Sequence, residues 1–136
     1  MATINPYLNF DGNCEEAFTF YKKAFGGEFS MVSRATDNPM PVPENEKNRI
    51  LHISLPIGKN ILMGSDIFPS FGHRLNVGNH NYVSISAESK DEADRLFHAL
   101  SEGGEIEMPI GEQFFGYFGS FKDKFGVSWM VVFEQK

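Results

Sequence analysis

The chain repeats one helical pattern, and this repeat limits its fold more than any other feature of the sequence. The segment EAFTFY at residues 16–21 corresponds to EADRLF at 92–97, and GGE at 26–28 corresponds to GGE at 103–105. Within each pair, the first and second segments are separated by nearly the same number of residues. A duplicated module is the simplest explanation, so we expect both halves to fold with the same order of elements.

Two helices are predicted from capping residues and apolar spacing, over residues 13–25 and 89–102. Asn13 and Ser89 are the expected N-caps, and a glutamate follows each of them three residues later, as in a capping box. Apolar side chains then recur at helical spacing, and a Gly-Gly pair ends each segment. Each half of the chain therefore contains one predicted amphipathic helix.

Alternating apolar segments predict four strands in each half. They cover residues 4–10, 29–34, 50–57 and 61–65, then 82–87, 106–109, 115–121 and 127–134. The predicted order is βαβββ in each half, which makes the fold class α+β. We expect a single domain, residues 1–136, built from modules at about 1–66 and 80–136 with a connector at 67–79.

Composition and charge exclude several classes of function. The net charge is −6 and no basic cluster occurs, so the chain has no electrostatic match for nucleic acid or an anionic membrane. Neither a signal-peptide pattern nor an apolar segment of membrane-spanning length is present, so a cytoplasmic location is expected. The single cysteine, Cys14, excludes an intramolecular disulfide and is expected to be inert, because Glu15 and Glu16 oppose thiolate formation.

Three segments resemble a known family. They are PYLNFDGNCEEAFTFYKKAFGGE at 6–28, LHISLPIGKNILMGSD at 51–66 and GYFGSFKDKFGVSWMV at 116–131. In order and spacing they resemble the PhnB-like branch of the vicinal oxygen chelate superfamily, often labelled glyoxalase/bleomycin resistance or demethylubiquinone-methyltransferase-like. The resemblance implies two βαβββ modules with curved mixed sheets around a shared concave cavity, in a homodimer. The glycine motifs of nucleotide-binding loops are missing, which argues against methyl transfer.

The resemblance also implies where catalytic relatives hold a divalent metal. Those positions fall at Pro6 or Tyr7, Leu62 or Met63, Asn81 or Tyr82, and Met130. Pro6, Tyr7 and Met130 cannot bind a hard cation, so the usual metal set and a metal cofactor are not expected. A shifted ligand set of His52, His80 and Glu134 is the alternative, although no spacing rule supports it.

Aromatic side chains point to a small-molecule site. The segment QFFGYFGSFKDKFG at 113–126 would place Phe115, Tyr117, Gly119 and Phe121 on one face of a strand. Such a face suits stacking against a flat or apolar ligand, but it suits core or dimer packing equally well. The candidate ligand-binding residues are His52, Tyr7, Phe115, Tyr117 and Trp129.

Three functions remain open on this basis. The favoured one is binding of a small aromatic or apolar molecule in the cavity without the usual metal set. The alternatives are a metal-dependent lyase or dioxygenase of the glyoxalase type with shifted ligands, and a structural dimer without a ligand. The sequence predicts no nucleic-acid or membrane partner.

Overall fold

The computed structural model describes residues 2–134 and divides the chain into two compact units, Met1–Asn76 and Val77–Lys136. Unit 1 contains one four-stranded sheet with the spatial order β1-β4-β3-β2 and one long helix, α1. The elements are β1 (Tyr7–Phe10), α1 (Cys14–Phe25), β2 (Met31–Arg34), β3 (Ile50–Ile57) and β4 (Asn60–Asp66). Strands β1 and β4 are parallel, and the other neighbours are antiparallel.

Unit 2 repeats this arrangement with the order β5-β8-β7-β6 and the helix α2. Its elements are β5 (Val83–Ser86), α2 (Lys90–Ser101), β6 (Glu105–Gln113), β7 (Gly116–Lys122) and β8 (Ser128–Phe133). Strands β5 and β8 are parallel, and the remaining pairs are antiparallel. The predicted βαβββ order is confirmed in both units, and both sheets are mixed and open.

Each helix covers one face of its own sheet and forms a core with it. In unit 1, the buried side chains Phe18 and Tyr21 of α1 lie on the same side as Ile53 and Leu55 of β3. A Cβ atom added to Gly64 of β4 would lie 2.7 Å from the Phe18 ring, so only glycine fits beneath that ring. In unit 2 the α2 side chain Phe97 packs edge-on against Phe121 of β7, with ring centroids 5.2 Å apart.

The two helices begin in different ways, and one capping prediction is wrong. Ser89 caps α2 as predicted, since its side chain accepts a hydrogen bond from the Glu92 N–H. Asn13 makes no such bond at the start of α1. The carboxylate of Asp66, at the end of β4, accepts from the Cys14 N–H instead. A partner distant in sequence therefore replaces the local cap.

Most of the predicted connector belongs to unit 1. The Ile67 N–H donates to the Phe10 carbonyl, and Phe68 is buried. A short 3₁₀ helix follows at Pro69–Phe71, and the Ser70 hydroxyl donates to buried Glu46 at 2.8 Å. The boundary between units consequently lies after Asn76, within the predicted connector.

Neither long helix could cross a bilayer. Both α1 and α2 contain 12 residues, and in the described part of the chain no helix has the length and apolar character that a membrane span requires.

Candidate ligand site

The sheet face opposite α1 in unit 1 carries a group of polar side chains. Because Gly64 lies against the helix, strand alternation places its neighbours in β4, Met63 and Ser65, on the other face. The parallel partners of these two residues are Tyr7 and Asn9 of β1, so both of those share the face. Two neighbouring strands thus present phenol, amide and hydroxyl groups together.

These side chains border a cleft of about 450 Å³ that lies entirely within unit 1. A cleft of this size is within the range of small-molecule sites. Its walls come from β1, β3 and β4 and from the segment that follows β4. The lining residues are Tyr7, Asn9, Leu51, Ser65, Asp66, Ile67, Phe68, His73 and Arg74.

An irregularity in β3 adds Leu51 to this wall. Ser33 pairs with His52 and Arg34 pairs with Ile50, so the register shifts and leaves Leu51 as an extra residue. A bulge of this kind redirects a side chain relative to regular alternation. Leu51 consequently contributes apolar surface to the cleft between polar neighbours.

Two of the predicted ligand-binding residues lie together at this face. The rings of Tyr7 and His52 are 5.7 Å apart at an angle of 43°. His52 Nε2 shares a 2.7 Å hydrogen bond with Ser54 Oγ, which holds the imidazole in place. Tyr7 remains 45% exposed, so its ring has surface available to a ligand.

The segment after β4 positions His73 and Arg74 at the edge of the cleft. The Phe68 N–H donates to His73 Nδ1 at 3.2 Å, so a neutral His73 carries its proton on Nε2. The Phe71 ring contacts both Phe68 and His73, with centroids 5.9 and 6.2 Å away. These contacts order the loop that carries Arg74.

Asp66 lines the cleft but serves the fold. Its Oδ1 accepts from the N–H groups of Gly12 and Cys14 at 2.9 and 3.0 Å, and its Oδ2 accepts from the Ile50 N–H at 2.9 Å. Both carboxylate oxygens are therefore engaged by the backbone. Asp66 links the start of α1 to the start of β3. Its carboxylate oxygens therefore do not need a hydrogen bond from a ligand.

Cys14 is buried, and the structure supports the expectation that it is inert. Burial raises the pKa of its thiol far above the ordinary value, and the negative charges of Asp66 and Glu15 raise it further. The thiolate is the reactive form of cysteine. Cys14 therefore packs in the core of unit 1 as a small apolar side chain.

The predicted aromatic face of β7 in unit 2 packs against α2. Tyr117 donates to Asp94 Oδ1 of α2 at 2.6 Å, and this bond raises the pKa of the Tyr117 phenol. A Cβ atom on Gly119 would lie 2.7 Å from the Phe97 ring. The helix thus occupies the side of β7 that the sequence suggested for a ligand.

Trp129 and Phe115 have different environments. Trp129 is 1% exposed and its indole N–H donates to Asp123 Oδ2 at 2.8 Å, so this ring belongs to the core of unit 2 and offers a ligand no surface. Phe115 is 47% exposed and lies 5.3 Å from the Phe118 ring. Its role in binding stays a prediction, as do the roles of Tyr7, His52 and Tyr117.

The family resemblance implies four metal-ligand positions, and the structure places three of them on strands. On β1 and β4 these are Tyr7 and Met63, which are strand partners, and on β8 it is Met130, whereas Asn81 or Tyr82 precedes β5. A phenol and thioethers are poor ligands for a hard divalent cation. Across residues 2–134, no three His, Cys, Asp or Glu side chains are grouped so that they could bind a metal. The shifted set of His52, His80 and Glu134 draws on both units and stays a prediction.

Sequence reasoning missed most of the cleft. Asn9 and Ser65 could have been found, because they follow Tyr7 and Met63 by two residues. Residues two apart in a strand share one face of the sheet. His73 and Arg74 had no such signal, since loop residues follow no periodicity. Their place beside the sheet depends on contacts made by Phe68 and Phe71.

Comparison with known proteins identifies relatives of the chain. The sequence pattern of the family described as "3-demethylubiquinone-9 3-methyltransferase" matches residues 2–132. Protein PA1353 from Pseudomonas aeruginosa, a solved structure, is 41% identical, with 100% of each chain covered and a TM-score of 0.90. A PhnB protein from Bacillus cereus is 29% identical, with 97% of this chain and 99% of the other covered and a TM-score of 0.79.

A more distant structure relates the fold to a wider group. A glyoxylase/bleomycin resistance protein/dioxygenase domain from Frankia sp. EAN1pec is 14% identical, with 99% and 98% of the two chains covered and a TM-score of 0.69. At this identity the likeness concerns the fold alone. It confirms the expected fold of two four-stranded mixed sheets with two helices.

Proposed function

Because this chain belongs to the 3-demethylubiquinone-9 3-methyltransferase family, the PhnB-like branch of the vicinal oxygen chelate superfamily, we propose that it binds a small molecule with an aromatic or apolar body in the unit 1 cleft. One observation carries the proposal. A cleft of about 450 Å³ combines exposed Tyr7 and apolar Leu51 with the polar groups of Asn9 and Ser65. Small-molecule sites typically combine apolar walls with a few converging polar groups.

The proposed ligand would stack on Tyr7. The phenol ring is 45% exposed, and its contact with His52 limits its motion, so little side-chain entropy would be lost on binding. Leu51 and Phe68 would cover the apolar part of the ligand. Asn9 and Ser65 would orient it by hydrogen bonds.

The proposal includes neither methyl transfer nor metal catalysis. The chain has no G-x-G-x-x-G segment after a strand, so the family description does not by itself assign a nucleotide cofactor. Tyr7, Met63 and Met130 occupy the positions of the metal ligands in relatives and do not suit a divalent cation. We therefore propose binding rather than Lewis-acid chemistry.

A thermal-shift screen with single-ring and two-ring aromatic compounds tests this function. A compound that binds the folded protein stabilises it by RT ln(1 + [L]/Kd), about 2.7 kcal/mol at one hundred times Kd. Tyr7→Ala should weaken the binding of each hit about tenfold, because the stacking surface is lost. Tyr82→Ala is the matched control, since Tyr82 is a similarly exposed tyrosine in unit 2. Hits that Tyr7→Ala leaves unchanged would refute the site.

We also propose that the protein assembles as a homodimer, as the family resemblance implies. Large apolar side chains at β6 and the following turn support this, with Ile106 53% exposed and Phe114 fully exposed. Exposed apolar clusters commonly mark protein interfaces. Light scattering should give the mass of two chains, and the mass of one chain would refute the dimer. The cytoplasmic location expected from the sequence is part of the same proposal and can be tested by cell fractionation.

A further inference from the structure

The unit 1 cleft is rich in hydrogen-bond donors. Tyr7 and Ser65 contribute hydroxyl groups, and Asn9 contributes an amide. The Ser65 hydroxyl donates to Asn9 Oδ1 at 3.5 Å, so Ser65 offers a ligand its acceptor lone pairs and Asn9 offers its amide N–H groups. Neutral His73 has its Nδ1 occupied by the Phe68 N–H, so its other nitrogen is a donor.

The cleft is also lined by Arg74, which carries a guanidinium group. Arg34 and Arg49 of the same unit pair with Glu15 and Asp11 at 2.6 and 2.9 Å. Among the residues that the structure describes, no carboxylate forms an ion pair with Arg74. A positive charge at the cleft is notable in a chain whose net charge is −6.

The acidic residue that lines the cleft, Asp66, already has its carboxylate engaged by the backbone. Asp66 is 3% exposed and lines the cleft, but three backbone N–H groups occupy its two oxygens. Its charge is balanced in part by these donors and by the N-terminal end of α1. The cleft therefore offers hydrogen-bond donors and one cation, and the carboxylate of Asp66 that lines it is already bound by the backbone.

On this basis we propose that the ligand carries an oxyanion, either a carboxylate or a phosphoryl-type group, and that Arg74 receives it. This inference rests on the proposed function, because it specifies the chemistry of the molecule in the same cleft. The planar guanidinium can form two parallel hydrogen bonds to a carboxylate or phosphate. His73 and Asn9 would add further donors, while Tyr7 and Leu51 would hold the apolar part.

Calorimetric titration with matched acid and amide probes tests the inference. The probes are phenylacetate and phenylacetamide, 2-naphthoate and 2-naphthamide, and phenyl phosphate. We expect each acid to bind at least about tenfold more tightly than its amide, since a hydrogen bond to a charged group is worth more than a neutral one. Tighter binding of phenyl phosphate than of phenylacetate would identify the phosphoryl class, and the reverse order would identify a carboxylate.

Variants assign the effect to one side chain. Arg74→Gln should reduce the affinity for each acid about tenfold and leave the amides unchanged, while Arg74→Lys should retain part of the affinity. Lys59→Gln is the control, because it removes one positive charge from the exposed turn between β3 and β4. A loss with Lys59→Gln equal to that with Arg74→Gln would indicate a general charge effect and overturn the inference.

The two proposals fail in different ways. If acids and amides bind equally and Tyr7→Ala lowers both affinities, the oxyanion inference is refuted. The proposed binding of an aromatic molecule in the cleft is then supported. If none of the five probes binds, both proposals are refuted. Acid binding that survives Arg74→Gln would assign the oxyanion to another group and refute the role of Arg74.

Discussion

At the residue scale, the environment of Cys14 changes its chemistry and makes stability depend on pH. Burial and the charges of Asp66 and Glu15 raise the pKa of this thiol in the folded chain. In the unfolded chain a thiol ionises near pH 8.5. Above that pH the unfolded state releases a proton that the folded state retains, so unfolding becomes more favourable. The contribution of this group is complete below about pH 8.5 and is lost progressively at higher pH.

We therefore expect the free energy of unfolding to fall by about 1.4 kcal/mol for each pH unit above about 8.5 on account of Cys14. Urea unfolding of the wild type and of Cys14→Ala between pH 7 and 10 measures this effect. Other groups also titrate in this range, but they contribute to both proteins. The gap between the two stability curves should narrow as pH rises, and parallel curves would contradict the prediction.

At the element scale, the helices α1 and α2 begin with different kinds of cap. Ser89 Oγ accepts from the Glu92 N–H, whereas α1 relies on Asp66 of β4. Loss of a side-chain N-cap costs about 1 kcal/mol. We expect Ser89→Ala to reduce the free energy of unfolding by about that amount and Asn13→Ala to change it by less than about 0.5 kcal/mol, as measured by urea denaturation.

Asp66→Asn serves as the positive control for α1. It replaces an acceptor of three backbone N–H groups with an amide, so at least one buried donor loses its partner at a cost of about 1–3 kcal/mol. Asp11→Asn is the matched exposed change and should cost less than about 1 kcal/mol. A larger loss for Asn13→Ala than for Asp66→Asn would reverse our assignment of the cap.

At the scale of the whole molecule, duplication provides two similar units. The family resemblance implies that Tyr7, Met63 and Met130 stand where catalytic relatives hold a metal ion. We expect protein purified without chelator to contain much less than one divalent ion per chain by elemental analysis. Dialysis against EDTA should leave the melting temperature unchanged. A stoichiometric ion whose removal lowers that temperature would favour the alternative function, a metal-dependent enzyme of the glyoxalase type, over the proposed one.

The order of elements could be predicted because its signals are local. The span of β3 is the predicted one, residues 50–57, and both helices agree to within a residue at each end. Strand β6 is longer than predicted, Glu105–Gln113, because two register shifts carry the pairing past Pro109. Strand β1 begins only at Tyr7, directly after Pro6, which has no N–H to donate.

The candidate site could be predicted only in part. Alternation along β7 separates Tyr117 from Phe118, but it does not say which of them meets a helix. The contact of Tyr117 with Asp94 answers that question, and it depends on how α2 lies on its sheet. His52 was suggested by alternation along its strand and Tyr7 by the family resemblance, and the structure places the two rings side by side.

The sequence by itself determined the duplicated βαβββ order and the family, since periodicity, capping residues and short motifs are properties of short segments. Only the tertiary structure decided that Asp66 caps α1, that Trp129 is in the core and that Arg74 reaches a cleft beside Tyr7. Each of these facts is a contact between segments distant along the chain. Such contacts arise from the packing of whole elements, which no local pattern encodes.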